Sequence, residues 1–345
     1  MFVHPQLKLN IKNLLLFFKP VSEQRLKDKL SKFFPEKNII FTDSGRSAFI
    51  LAIKHLNLQN SEMLVPAYIC DIFLPIFKHY NIKPIFLDIE PKTFNIQISE
   101  IEKKITTATK SILICHTYGL LNDMDKISDI AKQHNLKIIE DCAHVFPKKP
   151  DGNCAFFSLP KFLPVVNGGM LVCKNPIGVN LKKPKLKLPD LIKFLRLFPS
   201  LAAFSEKFRR SYEKNNKFSE PTKPFKCSLR ILDWYLDNYE KQISKRAKLA
   251  EYFHKKLQEI GFQSAGIAYI SALVPKNINR DELFYKLRKK NIFCARIWHK
   301  PIYPELPNTN EAAKRIINFP LQNWFTEKDI DKILECLKRS INQLR

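Results

Sequence analysis

Glycine is scarce in this chain, at 8 of 345 residues, and there is neither a heptad array nor a fixed-period repeat. Those absences exclude coiled coils and repeat architectures. No run of 18 consecutive apolar residues exists, so no segment reads as a membrane-spanning helix. The apolar patch Leu14 to Phe18 is short and bracketed by Lys12 and Lys19, too interrupted for a signal peptide. The cysteines (Cys70, Cys115, Cys142, Cys154, Cys173, Cys227, Cys294 and Cys336) form no C-x-x-C and no zinc-ligand spacing. They read as buried free thiols in a reducing cytosol. Acidic residues are few, 33 against 58 Lys and Arg, for a net charge of +25. That imbalance attracts something anionic: nucleotide phosphates, nucleic acid or a lipid surface. No helix-turn-helix, RNP or zinc-finger pattern accompanies it, which argues against nucleic acid.

What is present is the composition of a folded protein: 45% hydrophobic residues and 26% charged, in a length that suits one large domain and a smaller one. Apolar runs "NIIFTD" (38–43), "EMLVPAYIC", "KPIFLDI", "KSILICHTYG", "LKIIEDCAH", "CAFFSL" and "GGMLVCK" read as strands. Between them, "SGRSAFILAIKHL", "DIFLPIFKHY" and "DMDKISDIAKQHN" have helical spacing, and "PKTFNIQISEIEKKI" reads as a loop leading into a helix. Alternation of this kind predicts a parallel or mixed sheet covered on both faces. Ligands of such sheets sit at the carboxyl ends of the strands. Those ends hold Ser44–Gly45, Pro66–Tyr68, His116–Tyr118, Asp141–His144 and Ser158–Lys161. A long helix is expected over "LRILDWYLDNYEKQISKRAKLAEYFHKKLQEI", then a smaller α+β region ending in an amphipathic helix.

Three features of these strand ends belong to one chemistry. Lys161 stands in the run "FFSLPKFLPVVNGG" among Phe, Leu, Pro and Val rather than among polar residues. "IIEDCAH" ends a strand in Glu140 and Asp141, with His144 close behind. Ser44-Gly45-Arg46-Ser47 opens a helix directly after a strand, and backbone N–H groups at a helix head bind anions. An anion cradle, a buried carboxylate and a buried amine suit pyridoxal 5′-phosphate (PLP): phosphate to cradle, pyridine nitrogen to carboxylate, aldehyde to lysine. An apolar pocket is expected to depress the Lys161 amine pKa.

The ordered motifs "SGRSAF", "VPAYICDIF", "KPIFLDIEPKTFNI", "HTYGLLNDMDKI", "KIIEDCAH" and "FFSLPKFLPVVNGGMLV" resemble the DegT/DnrJ/StrS-type sugar aminotransferases. The likeness is close over about 35–175. It continues more weakly through 228–340, in "ARIWHKPIYPEL" and "IINFPLQNWFTEKDIDKIL". It implies an α/β fold of the aspartate-aminotransferase kind (fold type I): an N-terminal segment (1–35), a large PLP-binding domain (36–245, with a basic insertion at about 176–228) and a small C-terminal α+β domain (246–345).

By that resemblance Lys161 is the Schiff-base lysine and proton carrier, and Asp141 pairs with the pyridine nitrogen. His144 lies near the ring and its 3-oxygen. Gly45 and Arg46 cradle the phosphate with Ser158, and Tyr68 stacks on the ring, since Cys70 holds the usual aromatic position. His116, Tyr118, His299 and Lys300 are candidate substrate contacts. The family's G-x-N-x-R/K motif, which reaches the partner subunit's cofactor phosphate, is missing, and Ser228 or Arg230 stands in its place in "FKCSLRILDW". The implied protein is a homodimer in the cytoplasm that moves an amino group, from glutamate, onto a nucleotide-linked keto sugar for surface polysaccharide. PLP-dependent sugar dehydratases carry histidine at the lysine position, so Lys161 argues for transamination. The set Lys161, Asp141 and Ser158 likewise argues against a non-catalytic binding protein.

The segment 181–230 carries fourteen Lys and Arg against four Asp and Glu, a net of +10. Two readings of it stand. Within it, the leucines and phenylalanines of 181–226, in "PDLIKFLRLF" and "SLAAFSEKFRR", have near-helical spacing and suit a stretch lying on an anionic membrane, which would place the enzyme at the inner face, acting on a lipid-linked sugar. An insertion packed on the dimer with its lysines in water is the other.

Overall fold

The computed structural model describes residues 19–146, 148–196, 218–303 and 305–344. The apolar patch at 14–18 and the stretch "SLAAFSEKFRR" lie outside the described residues. The elements in chain order are α1 (Glu23–Ser31), β1 (Asn38–Thr42), α2 (Gly45–His55), β2 (Glu62–Pro66), α3 (Leu74–His79), β3 (Lys83–Leu87), β4 (Thr109–Cys115), α4 (Met124–Gln133), β5 (Lys137–Asp141), β6 (Cys154–Ser158) and β7 (Gly169–Cys173). They continue with α5 (Leu188–Arg196), α6 (Lys226–Asp237), α7 (Tyr239–Glu259), β8 (Gln263–Ala265), β9 (Ile270–Leu273), α8 (Arg280–Lys289), α9 (Pro307–Arg315), β10 (Ile316–Phe319) and α10 (Glu327–Asn342).

β1 to β7 form one seven-stranded sheet in the order β1-β7-β6-β5-β4-β2-β3. β2 to β6 pair in parallel, while β7 is antiparallel to both β6 and β1. β1 therefore runs in the same direction as β6. The strands β2 and β7 are buried at every position, as a sheet covered on both faces requires. Helix starts follow local chemistry: Ser44 Oγ accepts the Ser47 N–H at the head of α2, and Asp123 accepts that of Lys126 at the head of α4.

The second sheet has three antiparallel strands in the order β10-β9-β8. It joins the first through Tyr118, whose carbonyl accepts the N–H groups of Ile267 and Ala268. Asp88, at the end of β3, is buried and accepts Asn308 N–H at 3.0 Å and Thr309 N–H and Oγ1–H at 2.8 Å. One carboxylate of the large sheet thus caps α9 of the smaller unit.

Three expectations are corrected. The long helix is two helices, because Asn238 leaves helical geometry and its side chain bonds the Trp234 carbonyl at 2.9 Å. The stretch after "PKTFNIQ" folds into two 3₁₀ turns rather than an α-helix. Finally, two cysteines are not free thiols. Cys154 and Cys173 face each other across β6 and β7 and form a disulfide, leaving six free.

Candidate active site

Because β1, β2, β4, β5 and β6 share a direction, their carboxyl ends lie along one edge of the sheet. At that edge the β6–β7 hairpin meets the head of α2. Gly169 sits opposite Thr42, and a side chain there would run into the Ser44 carbonyl. Gly168 has φ +135°, and its N–H bonds the Asp43 carbonyl at 2.7 Å. The glycine pair that closes the lysine run thus lets the hairpin press against the turn before α2. On the other side, Gly45 lies close enough to Ser158 that a Cβ would be 3.1 Å from its Cβ.

The first N–H groups of a helix have no partner within it. Ser44 Oγ takes that of Ser47, which leaves those of Gly45 and Arg46 beside the half-buried Ser158. The first turn of α2 holds no acidic residue to repel an anion.

Lys161 closes a single 3₁₀ turn after β6. Its ammonium does not snorkel outward. Nζ lies 3.5 Å from His144 Nε2 and 5.6 Å from the centre of the Tyr269 ring. The expected depression of its pKa is not found. Burial works to lower it, but Tyr269, Cys70, Asp141 and Cys115 together outweigh burial and hold it above the ordinary lysine value.

His144 Nδ1 accepts the Tyr118 N–H at 3.1 Å, which assigns the ring proton of the neutral imidazole to Nε2, facing Lys161. Burial, and then the charge of Lys161, push His144 well below the ordinary histidine range. Asp141 is buried at the end of β5. Its Oδ1 accepts the Ala143 N–H at 2.8 Å, and its Oδ2 meets the Cys115 thiol at 3.8 Å. Burial raises its pKa to about 6, only partly opposed by the Ala143 N–H and Lys161.

Aromatic rings enclose this group. Tyr118 stacks on His144, and Trp298 stacks on both, with ring centres 5.3 to 5.7 Å apart. The Tyr68 and Tyr118 hydroxyls meet at 2.7 Å, and Tyr68 packs edge-on to Trp298. Trp298 and Tyr118 both adopt positive φ, at 57° and 55°. That strain in bulky residues is held by surrounding packing. Trp298 and Tyr269 were missed in the sequence. Only the docking of the second sheet brings them here.

Some expected residues lie elsewhere. His116 is fully buried on the far side of the strand ends, where Nε2 bonds Glu140 at 2.9 Å and Nδ1 accepts the Asn122 N–H at 3.2 Å. Both its nitrogens are spent inside the fold, which corrects its assignment as a substrate contact. Ser228 is likewise buried and donates to Asn167 Oδ1 of its own chain at 3.1 Å, so its hydroxyl does not extend toward a partner. His299 and Lys300 follow Trp298 on one loop. His299 is held by the Arg296 carbonyl at 2.8 Å, and Lys300 is exposed.

The arrangement fits PLP on its own chemistry. Asp141 is a buried carboxylate with no ion-pair partner among the described residues, which a pyridinium N–H would supply. The Gly45 and Arg46 amides beside Ser158 suit a phosphate, and Lys161 supplies the amine.

A profile of the DegT/DnrJ/EryC1/StrS aminotransferase family matches residues 21–338. Among curated proteins, the dTDP-4-amino-4,6-dideoxy-D-glucose transaminase of Shigella dysenteriae is 26% identical over 91% of this chain and 89% of its own length. The GDP-perosamine synthase of Caulobacter vibrioides is 32% identical over 87% of this chain and 85% of its own. Among solved structures, an aminotransferase from Psychrobacter cryohalolentis superposes with a TM-score of 0.73 at 16% identity, covering 99% of both chains. An E. coli GDP-4-keto-6-deoxy-D-mannose-3-dehydratase with bound hydrated PLP has a TM-score of 0.73 at 18% identity, covering 98% of this chain and 100% of that one. At those identities the structures share the fold.

Proposed function

The chain belongs to the DegT/DnrJ/EryC1/StrS aminotransferase family and is a PLP-dependent sugar aminotransferase, and on that premise we propose that it transfers an amino group from glutamate to a keto sugar carried on a nucleoside diphosphate. The names of its relatives, transaminases and synthases of dTDP- and GDP-linked amino sugars, support the acceptor class. The observation that carries the site assignment is the buried amine of Lys161, 3.5 Å from His144 Nε2, at the same strand ends as the buried Asp141.

In this reading Lys161 holds the cofactor covalently through its amine and carries the proton to and from the substrate carbon. Asp141 holds a proton at the pyridine nitrogen. Bound there, PLP would supply an electron sink for charge developing at the substrate carbon. His144 stays neutral and donates from Nε2, and Gly45, Arg46 and Ser158 bind the phosphate. Tyr68, Tyr118 and Trp298 exclude water from the reacting atoms. Residues 36–245 carry the cofactor and 246–345 close over it. A homodimer completes the site, with amino sugar for a surface polysaccharide as the product's destination.

The deciding experiment is the visible spectrum of the PLP-loaded protein with borohydride trapping and peptide mapping, beside Lys161→Ala. Cofactor fixed to Lys161 in the wild type and to no residue in the variant supports the assignment. Cofactor fixed elsewhere overturns it. Glutamate should bleach the wild-type band, and a panel of nucleotide-linked keto sugars should restore it.

A further inference from the structure

Four of the nine most exposed large hydrophobic residues among the described residues fall within a short stretch, at Val179, Leu186, Leu188 and Leu191. Leu186 and Leu188 are each 73% exposed. They belong to the basic segment, and Leu188 and Leu191 lie on one face of α5 at helical spacing. A surface helix ordinarily turns such a face inward, yet none of the described side chains of α5 belongs to the buried core. Around this face Lys182, Lys183, Lys185 and Lys187 are all exposed, and none has an ion-pair partner among the described residues. Lys193 is exposed too but pairs with Asp190 at 3.2 Å, and Asp190 is the sole acid between 181 and 196.

The patch is fastened to the sheet. Lys182 and Thr222 form a backbone bridge, and Thr222 in turn exchanges bonds with Asp43, accepting its N–H at 2.8 Å and donating to Oδ1 at 3.3 Å. Asp43 immediately precedes Ser44, the cap of α2. The exposed leucines are therefore anchored beside the turn that presents Gly45 and Arg46.

We propose that this face, from Lys182 to Lys193, docks on an anionic lipid bilayer, with the leucines entering the interface and the four lysines meeting the headgroups. Exposed leucines beside unpaired lysines are the composition of an interfacial helix. A second copy of the chain fits this face poorly, since it would bring the same lysines against their own kind. Each basic residue near an anionic surface strengthens attachment by roughly fivefold. Docking would hold the strand-end edge of the enzyme close to the membrane.

The test is co-sedimentation of the full-length, PLP-loaded protein with vesicles of phosphatidylcholine alone or with about one-third phosphatidylglycerol. The wild type should pellet with the anionic vesicles at least tenfold better than with the neutral ones, and raised salt should weaken it. Two variants are compared: Leu186→Ser with Leu188→Ser and Leu191→Ser, and Lys182→Gln with Lys183→Gln, Lys185→Gln and Lys187→Gln. Each should lose at least tenfold in vesicle binding while keeping its cofactor absorbance and its bleaching by glutamate. Wild type that pellets no better than without lipid overturns the proposal. So does a leucine variant that binds like wild type. A leucine variant that keeps vesicle binding but loses a dimer in sedimentation velocity would make the face an interface between copies, which also overturns it.

Discussion

Glu140 and Asp141 are neighbours on β5 and both are buried, yet the fold drives their carboxyls in opposite directions. Successive side chains of a strand point to opposite faces. On its face Glu140 accepts from His116 Nε2 at 2.9 Å, Lys148 Nζ at 2.8 Å and the N–H groups of Asp151 and Gly152 at 2.7 and 2.6 Å. Burial alone would raise its pKa, but His116 and Lys148 outweigh it and bring it to about 2. Among the described residues Asp141 hydrogen-bonds only a backbone N–H and a thiol, and burial takes it to about 6. One carboxylate is satisfied by the fold, and the other is left for a ligand.

Asp141→Asn should stabilise the cofactor-free protein while abolishing cofactor retention. The folded pKa of about 6 exceeds the ordinary 3.8. The associated stability is therefore complete below the ordinary value and lost as pH rises through the folded one. Above pH 7 the ionised carboxylate costs about 3 kcal/mol at most. An amide removes that cost, so thermal unfolding at pH 8 should move up by a few degrees. Gel filtration after PLP loading should recover no bound cofactor. A variant less stable than wild type at pH 8 would contradict this account.

Glu140→Gln should do the reverse. Its folded pKa of about 2 lies below the ordinary 4.5, so its contribution is present above the ordinary value and lost as pH falls through the folded one. Replacing the charge leaves Lys148, His116 and the N–H groups of Asp151 and Gly152 with a weaker acceptor, at a cost of about 2–4 kcal/mol. Urea unfolding at pH 7 measures it. The difference from wild type should shrink toward pH 3.

The large sheet was legible because its strands are apolar runs closed by turn residues, and because strand ends collect functional groups. Lys161 Nζ and His144 Nε2 lie 3.5 Å apart, and Asp141 is buried at the same strand ends. Trp298 and Tyr269 were not legible, since nothing local places a ring 154 positions after His144 on its face. Nor was the Lys161 pKa, because the acids that raise it come from four separate segments. The Cys154–Cys173 bond depends on antiparallel register between strands. The break at Asn238 depends on one side chain competing for a carbonyl inside an otherwise helical pattern.

Thiol titration of the unfolded, unreduced protein should count six thiols rather than eight. The bond closes the hairpin that carries Lys161 near its tip, with its cysteines 19 positions apart. Cys154→Ala with Cys173→Ala should lower stability by about 2–4 kcal/mol in the oxidised protein. A count of eight would mean the pair stays reduced.

Asp88→Ala removes the acceptor for three donors at the start of α9, two of them buried on Thr309. The loss should be about 2–4 kcal/mol by denaturant unfolding. Asp88→Asn should recover part of it, because an amide oxygen still accepts. Hydrogen exchange should rise first at Asn308 and Thr309.

The rate at which apoprotein captures PLP should climb about tenfold per pH unit from pH 7 to 9, without a plateau. Only a neutral amine can bond to the cofactor's carbonyl carbon, and the acids around Lys161 hold its pKa above the ordinary 10.5. The neutral fraction is therefore small throughout this range and grows in proportion to hydroxide. Asp141 adds no inflection, being ionised above about 6, and the second phosphate ionisation of PLP is complete above about 7. Stopped-flow absorbance on mixing reads the rate directly. A plateau between pH 7 and 8 would place the amine pKa there, and burial rather than the neighbouring acids would then govern Lys161.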